Sequence, residues 1–112
     1  MRLEELFEIA NLDQEDHGIE DVIIWVGMTT GQHGLRVKIS NVQGHFLPDK
    51  ATHFTLTIPD YHIRDGQPAK WLKPKMEDII DWLKLNQALI TAYENGKIQS
   101  TREFLKDLEK LP

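Results

Sequence analysis

The chain has 112 residues, no cysteine, 40 % hydrophobic and 28 % charged residues, and a formal net charge of -5. That length suits one domain spanning residues 1–112. The missing cysteine excludes disulfides, thiolate nucleophiles, iron–sulfur clusters and cysteine-type zinc sites, and the acidic balance argues against non-specific duplex DNA binding.

Charge is unevenly spread. Residues 1–21 carry eight acids and one arginine, residues 22–75 seven Lys/Arg against three acids, and residues 76–112 five against seven. A local anion site in the basic middle is compatible with the acidic whole. No run approaches 18 consecutive apolar residues, so no membrane span is expected. The first residues, "MRLEELFEIANLDQ", lack the basic start and apolar middle of a secretory signal, which predicts a cytoplasmic protein.

Leu3, Leu6, Phe7 and Ala10 share one helical face, which predicts a short helix over residues 2–10. "NLDQEDHG" follows as a polar connection. Its acids Glu15, Asp16, Glu20 and Asp21 suit either a basic partner or a solubilising face. "DVIIWVGM", Asp21 to Met28, reads as a central strand buried on both faces. "TTGQHG" reads as a hairpin loop. "LRVKIS" then alternates, with Leu35, Val37 and Ile39 inward and Arg36, Lys38 and Ser40 outward. "HFTLTI" repeats the alternation, with His53, Thr55 and Thr57 outward, and Tyr61 to Arg64 reads as a short edge strand before a "DG" turn.

The longest helix is expected to start near Pro74, with Glu77, Asp78 and Asp81 at its positive end. One stripe runs through Met76, Ile79, Ile80, Leu83, Gln87 and Ile90. A second runs through Trp82, Leu85, Leu89, Ala92 and Tyr93. Asn95-Gly96 is a stop signal. Ser100 and Glu103 have capping-box spacing before a short helix with Phe104, Leu105, Leu108 and Leu111 on its face. The expected fold is therefore α+β. A mainly antiparallel sheet of three to four strands packs on one long C-terminal helix, with short N- and C-terminal helices.

The leading candidate site is the outward face of the two alternating strands. Arg36, Lys38 and His53 there, with His33 at the loop, suit a phosphate or carboxylate. A solvated sheet face with lysine edge protection has the same pattern. The "GQHG" loop lacks both the helical context of a nucleotide-clamping KH loop and the ending of a Walker loop. His33, His45, His53 and His62 fall within thirty residues but have no metal-ligand spacing, so neither a metal nor another cofactor is expected. Trp25, Trp71, Trp82 and Tyr93 lie on apolar runs and are read as core.

"HGLRVKISN" and "KPKMEDIIDWLKLNQALITAYENGK" together resemble an uncharacterised family of small bacterial and phage proteins, over roughly residues 23–111. Ile24, Trp25, Gly27, His33, Gly34, Arg36, Lys38, Ser40 and Asn41 carry the pattern. Some relatives, with a Pro-x-His-x-His strand, look like members of toxin–antitoxin-style gene pairs. Where they carry strand histidines this chain has Arg36 and Lys38. The resemblance implies a phage or mobile-element setting and no assigned activity.

The expected function is a small non-enzymatic binding or regulatory protein that engages a protein partner or a phosphate-bearing ligand such as RNA. Two alternatives remain open. One is a metal-free ribonuclease-like toxin or other phosphotransfer enzyme using Arg36, Lys38, His53 and Tyr61 or His62. The other is an assembly protein that oligomerises through the sheet edge near Tyr61 to Arg64.

Overall fold

The computed structural model describes residues 9–27, 35–44, 53–98 and 100–111. Its centre is a five-stranded antiparallel sheet in which spatial order follows chain order. The strands are β1 (Ile9–Leu12), β2 (Ile24–Gly27), β3 (Leu35–Ser40), β4 (His53–Ile58) and β5 (Ile63–Arg64). Among the described residues four helices accompany them: α1 (Gln14–His17), α2 (Met76–Leu85), α3 (Gln87–Glu94) and α4 (Thr101–Asp107), with a 3₁₀ helix over Lys70–Lys75 before α2.

Period-2 alternation builds the sheet. Leu12, Ile24, Val26, Val37, Ile39, Phe54, Leu56 and Ile58 turn to one side. There they meet Ile79, Trp82, Leu83, Ile90, Tyr93 and Phe104 from the helices in one buried cluster. The inward positions expected in β3 and β4 from Val37 to Ile58 are correctly placed. Among the described residues no helix is long and apolar enough to cross a membrane.

Several sequence expectations are corrected. The sheet has five strands rather than three or four. The extra one is β1: residues 1–8 lie outside the described part, but Ile9 and Ala10 pair with Gly27 and Val26 instead of ending a helix. For Ile9 and Ala10 the ladder with β2 supplies the backbone partners. The connection after it is partly helical. Asp13 caps α1 by accepting the Glu15 N–H at 3.0 Å, while Asp16 accepts the Asp13 N–H at 3.0 Å. Two of the acids read as a partner surface thus lie in the first turn of α1, where the helix dipole favours them.

The single long helix is also corrected. A 3₁₀ turn containing Pro74 precedes it, and it breaks at Asn86. Asn side chains compete for backbone partners, and this one uses that capacity. Its Nδ2 donates to the carbonyls of Trp82 and Glu109 at 3.1 and 2.9 Å, and its Oδ1 accepts the Glu109 N–H at 2.9 Å. The Trp82 indole N–H donates to the same Glu109 carbonyl at 2.7 Å. The break therefore pins the C-terminal segment beneath the helices. Leu85 and Leu105, placed on apolar faces by periodicity, are exposed at 45 % and 38 %. The expected stop holds: α3 ends at Glu94, and Gly96 has φ +78°. The Ser100 cap holds as well, accepting the Glu103 N–H at 3.4 Å.

Candidate anion-binding face

Register decides which side chains meet on the far side of the sheet. Asn11 pairs with Trp25, Trp25 with Lys38, Lys38 with Thr55, and Thr55 with Arg64. One row thus crosses all five strands on the face opposite the core. Arg36 pairs with Thr57 and Ser40 with His53 in flanking rows. β3 and β4 alternate as read, but of their outward positions on this face Ser40 is fully buried and His53 and Thr55 nearly so.

Its chemistry differs in three ways from the sequence expectation. First, Trp25 is not core. It is half-buried in the outer row, with the Lys38 ammonium 4.5 Å from its ring centroid. β2 is therefore an alternating strand, second from one edge, rather than one buried on both faces. Second, His53 is 7 % exposed and Thr55 only 2 %. They lie under the face, Thr55 flanked in its row by Lys38 and Arg64. Beside them the backbone runs close: a Cβ on Gly66 would lie 2.8 Å from the His53 carbonyl oxygen. Burial takes the His53 imidazole away from the surface that a general acid would need. Third, Arg64 joins the cations of this face. Its place in the edge strand was legible, but its register with Thr55 was not.

Arg36 stands 3.6 Å from the Asp65 carboxylate, the two side chains 35 % and 64 % exposed. A pair so open to water is weak. It screens one cation without burying it. Asp65 has φ +55°, a left-handed conformation that aspartate tolerates.

No family model, curated protein or solved structure matches the chain. The functional reading therefore rests on this geometry. His33 and His45 lie outside the described residues. Of the other histidines, His62 is exposed and His17 is fully buried. His17 Nδ1 accepts the Ile19 N–H at 2.9 Å, which leaves Nε2–H to donate to the Val22 carbonyl at 2.9 Å. Its ring meets Trp82 edge-on at 5.7 Å. Burial holds its pKa below the usual histidine value, against the pull of the backbone acceptors. This histidine is structural. Among the described residues no group of three or more His, Cys, Asp or Glu side chains is arranged to hold a metal ion.

Sequence reasoning missed one further group. Glu94, in the last turn of α3, is completely buried. β2 pairs with β3 through Ile24 with Ile39 and Trp25 with Lys38. Beyond them the Arg36 N–H donates instead to Glu94 Oε2, at 3.4 Å. Glu94 Oε1 has no hydrogen-bond partner among the described residues. Burial pushes its pKa up to about 8, with the Arg36 N–H and charge pulling it back down. The carboxyl is therefore mostly protonated at neutral pH. Glu94 falls between Tyr93 and Asn95, where nothing in the sequence separates it from a solvent-facing glutamate.

Proposed function

We propose that the protein is a small non-enzymatic binding module that takes a phosphate-bearing ligand on the basic face of its sheet. Arg36 and Lys38 are the anion contacts, and Arg64 extends the patch. The observation that carries this reading is the cross-strand row Trp25–Lys38–Thr55–Arg64 with Arg36 beside it. It places three cations, Arg36, Lys38 and Arg64, on one side of the sheet inside a chain of net charge -5, and among the described residues the Asp65 carboxylate lies 3.6 Å from Arg36. Guanidinium and ammonium groups on a rigid sheet suit phosphate oxygens. A regulatory role in a phage or mobile-element setting is a further expectation, resting on the resemblance alone.

Calorimetric titration with tripolyphosphate at low ionic strength tests the reading. Saturable binding that weakens with added salt is expected. Arg36→Glu/Lys38→Glu, confirmed as folded by circular dichroism, should abolish it. Absence of binding by the native protein, or unchanged binding by the folded double variant, would refute it.

A further inference from the structure

The three tryptophans of this chain are placed differently. Trp82 is fully buried, and its indole N–H donates to Glu109. Trp71 is half-buried, and its N–H donates to the Asn41 carbonyl at 2.8 Å. Trp25 instead lies in the polar row of the outer face, next to Lys38 and one strand further from Arg64 than Lys38 is. An indole plane among cations is the combination that single-stranded nucleic acids use, because every base has a π-face and every linkage a charge.

We propose that this face is a platform for single-stranded nucleic acid. A base stacks on Trp25, where the Lys38 ammonium rests in the free protein, while Lys38, Arg36 and Arg64 take the flanking phosphates. The Lys38 ammonium lies 4.5 Å from the ring centroid, so a base stacking on that side of the half-buried ring takes the place of the ammonium. On binding, the flexible ammonium exchanges the ring for a phosphate oxygen. Neighbouring strands are about 4.8 Å apart, so the row from Trp25 to Arg64 spans roughly 14 Å. Arg36 and Lys38, two residues apart on one strand, lie about 6.7 Å apart. This spacing spreads the cations along a chain rather than focusing them on one ion. A duplex keeps its bases stacked and offers none to the indole. An acidic peptide supplies charge without a plane.

The inference rests on the anion-binding reading above, and the test separates the two. Fluorescence anisotropy with a labelled oligouridylate of eight nucleotides is run beside a duplex of equal length, an abasic phosphodiester chain and polyglutamate. The single strand should bind best, with log K falling against log salt at a slope of about -2 for three phosphate contacts. Trp25→Leu should lose roughly 5- to 150-fold in affinity, and Trp25→Tyr should recover most of it. Lys38→Gln should reduce the slope by about 0.7. If the duplex, abasic chain or polyglutamate binds as tightly, or folded Trp25→Leu binds unchanged, the platform is refuted while the anion face stands. If none of the polyanions binds, both fail. Should Trp25→Leu not fold, indole emission in a Trp71→Phe background decides. Quenching by the oligonucleotide but not by tripolyphosphate supports stacking, and no quenching overturns it.

Discussion

Replacing Glu94 by glutamine removes one buried proton-binding site and little else. The native carboxyl is completely buried and accepts one N–H, from Arg36 at 3.4 Å. The glutamine carbonyl can keep that bond. Glu94 is shifted from its ordinary 4.5 to about 8, so the folded state holds a proton that the unfolded chain gives up near 4.5. Between those values the folded protein binds more protons than the unfolded one, and stability falls as pH rises. Its contribution is fully present below about pH 4.5 and lost by about pH 8. At 1.36 kcal/mol per pKa unit, the loss is about 5 kcal/mol over the whole window, of which about 3 kcal/mol has gone by pH 7. That is a large share of the 5–15 kcal/mol typical of a domain. Urea unfolding of both proteins at intervals from pH 5 to 9 measures the difference. Glutamine should become steadily more favourable as pH rises, flattening above about 8. A native-to-variant difference independent of pH would show that Glu94 is already ionised in the fold, and would refute its assignment as a neutral buried acid.

Other outcomes follow from the same structure. His17 titrates in the opposite sense. Its folded pKa is depressed, so its contribution is present above about 6.5 and lost as pH falls below that; His17→Ala should cost about 2–4 kcal/mol through its two lost hydrogen bonds and the contact with Trp82, read by urea midpoint. Gly66→Ala places a Cβ 2.8 Å from the His53 carbonyl at φ +140°, and should lower thermal stability by about 1–3 kcal/mol. Asp65→Asn keeps a residue suited to φ +55° while releasing Arg36, so it should change stability by less than about 1 kcal/mol and tighten tripolyphosphate binding.

The parts legible in the sequence were those governed by short-range periodicity. The alternation of β3 and β4, the edge position of Arg64, the Asn95-Gly96 stop and the Ser100 cap each follow from a local pattern of fewer than ten residues. The parts that escaped depend on partners distant in the chain. Ile9 and Ala10 are strand because β2 lies beside them. The helix breaks at Asn86 because Glu109 is there to be held. Trp25 appeared core because it sits in an apolar run, yet its pairing with Lys38 puts it on the polar face. Glu94 looks like any helical glutamate until the Arg36 N–H is found at its side chain. For the candidate site, Arg36 and Lys38 were readable from alternation alone, whereas the burial of His53 depends on what the sheet places around it.

The central claim, that the outer face of the sheet takes an anion, is tested most directly by amide and side-chain chemical shifts during a tripolyphosphate titration. Saturating shifts are predicted at Trp25, Arg36, Lys38 and Arg64, with the residues around buried Trp82 unmoved. Shifts confined to the helical side, or none at any of those four residues, would contradict it.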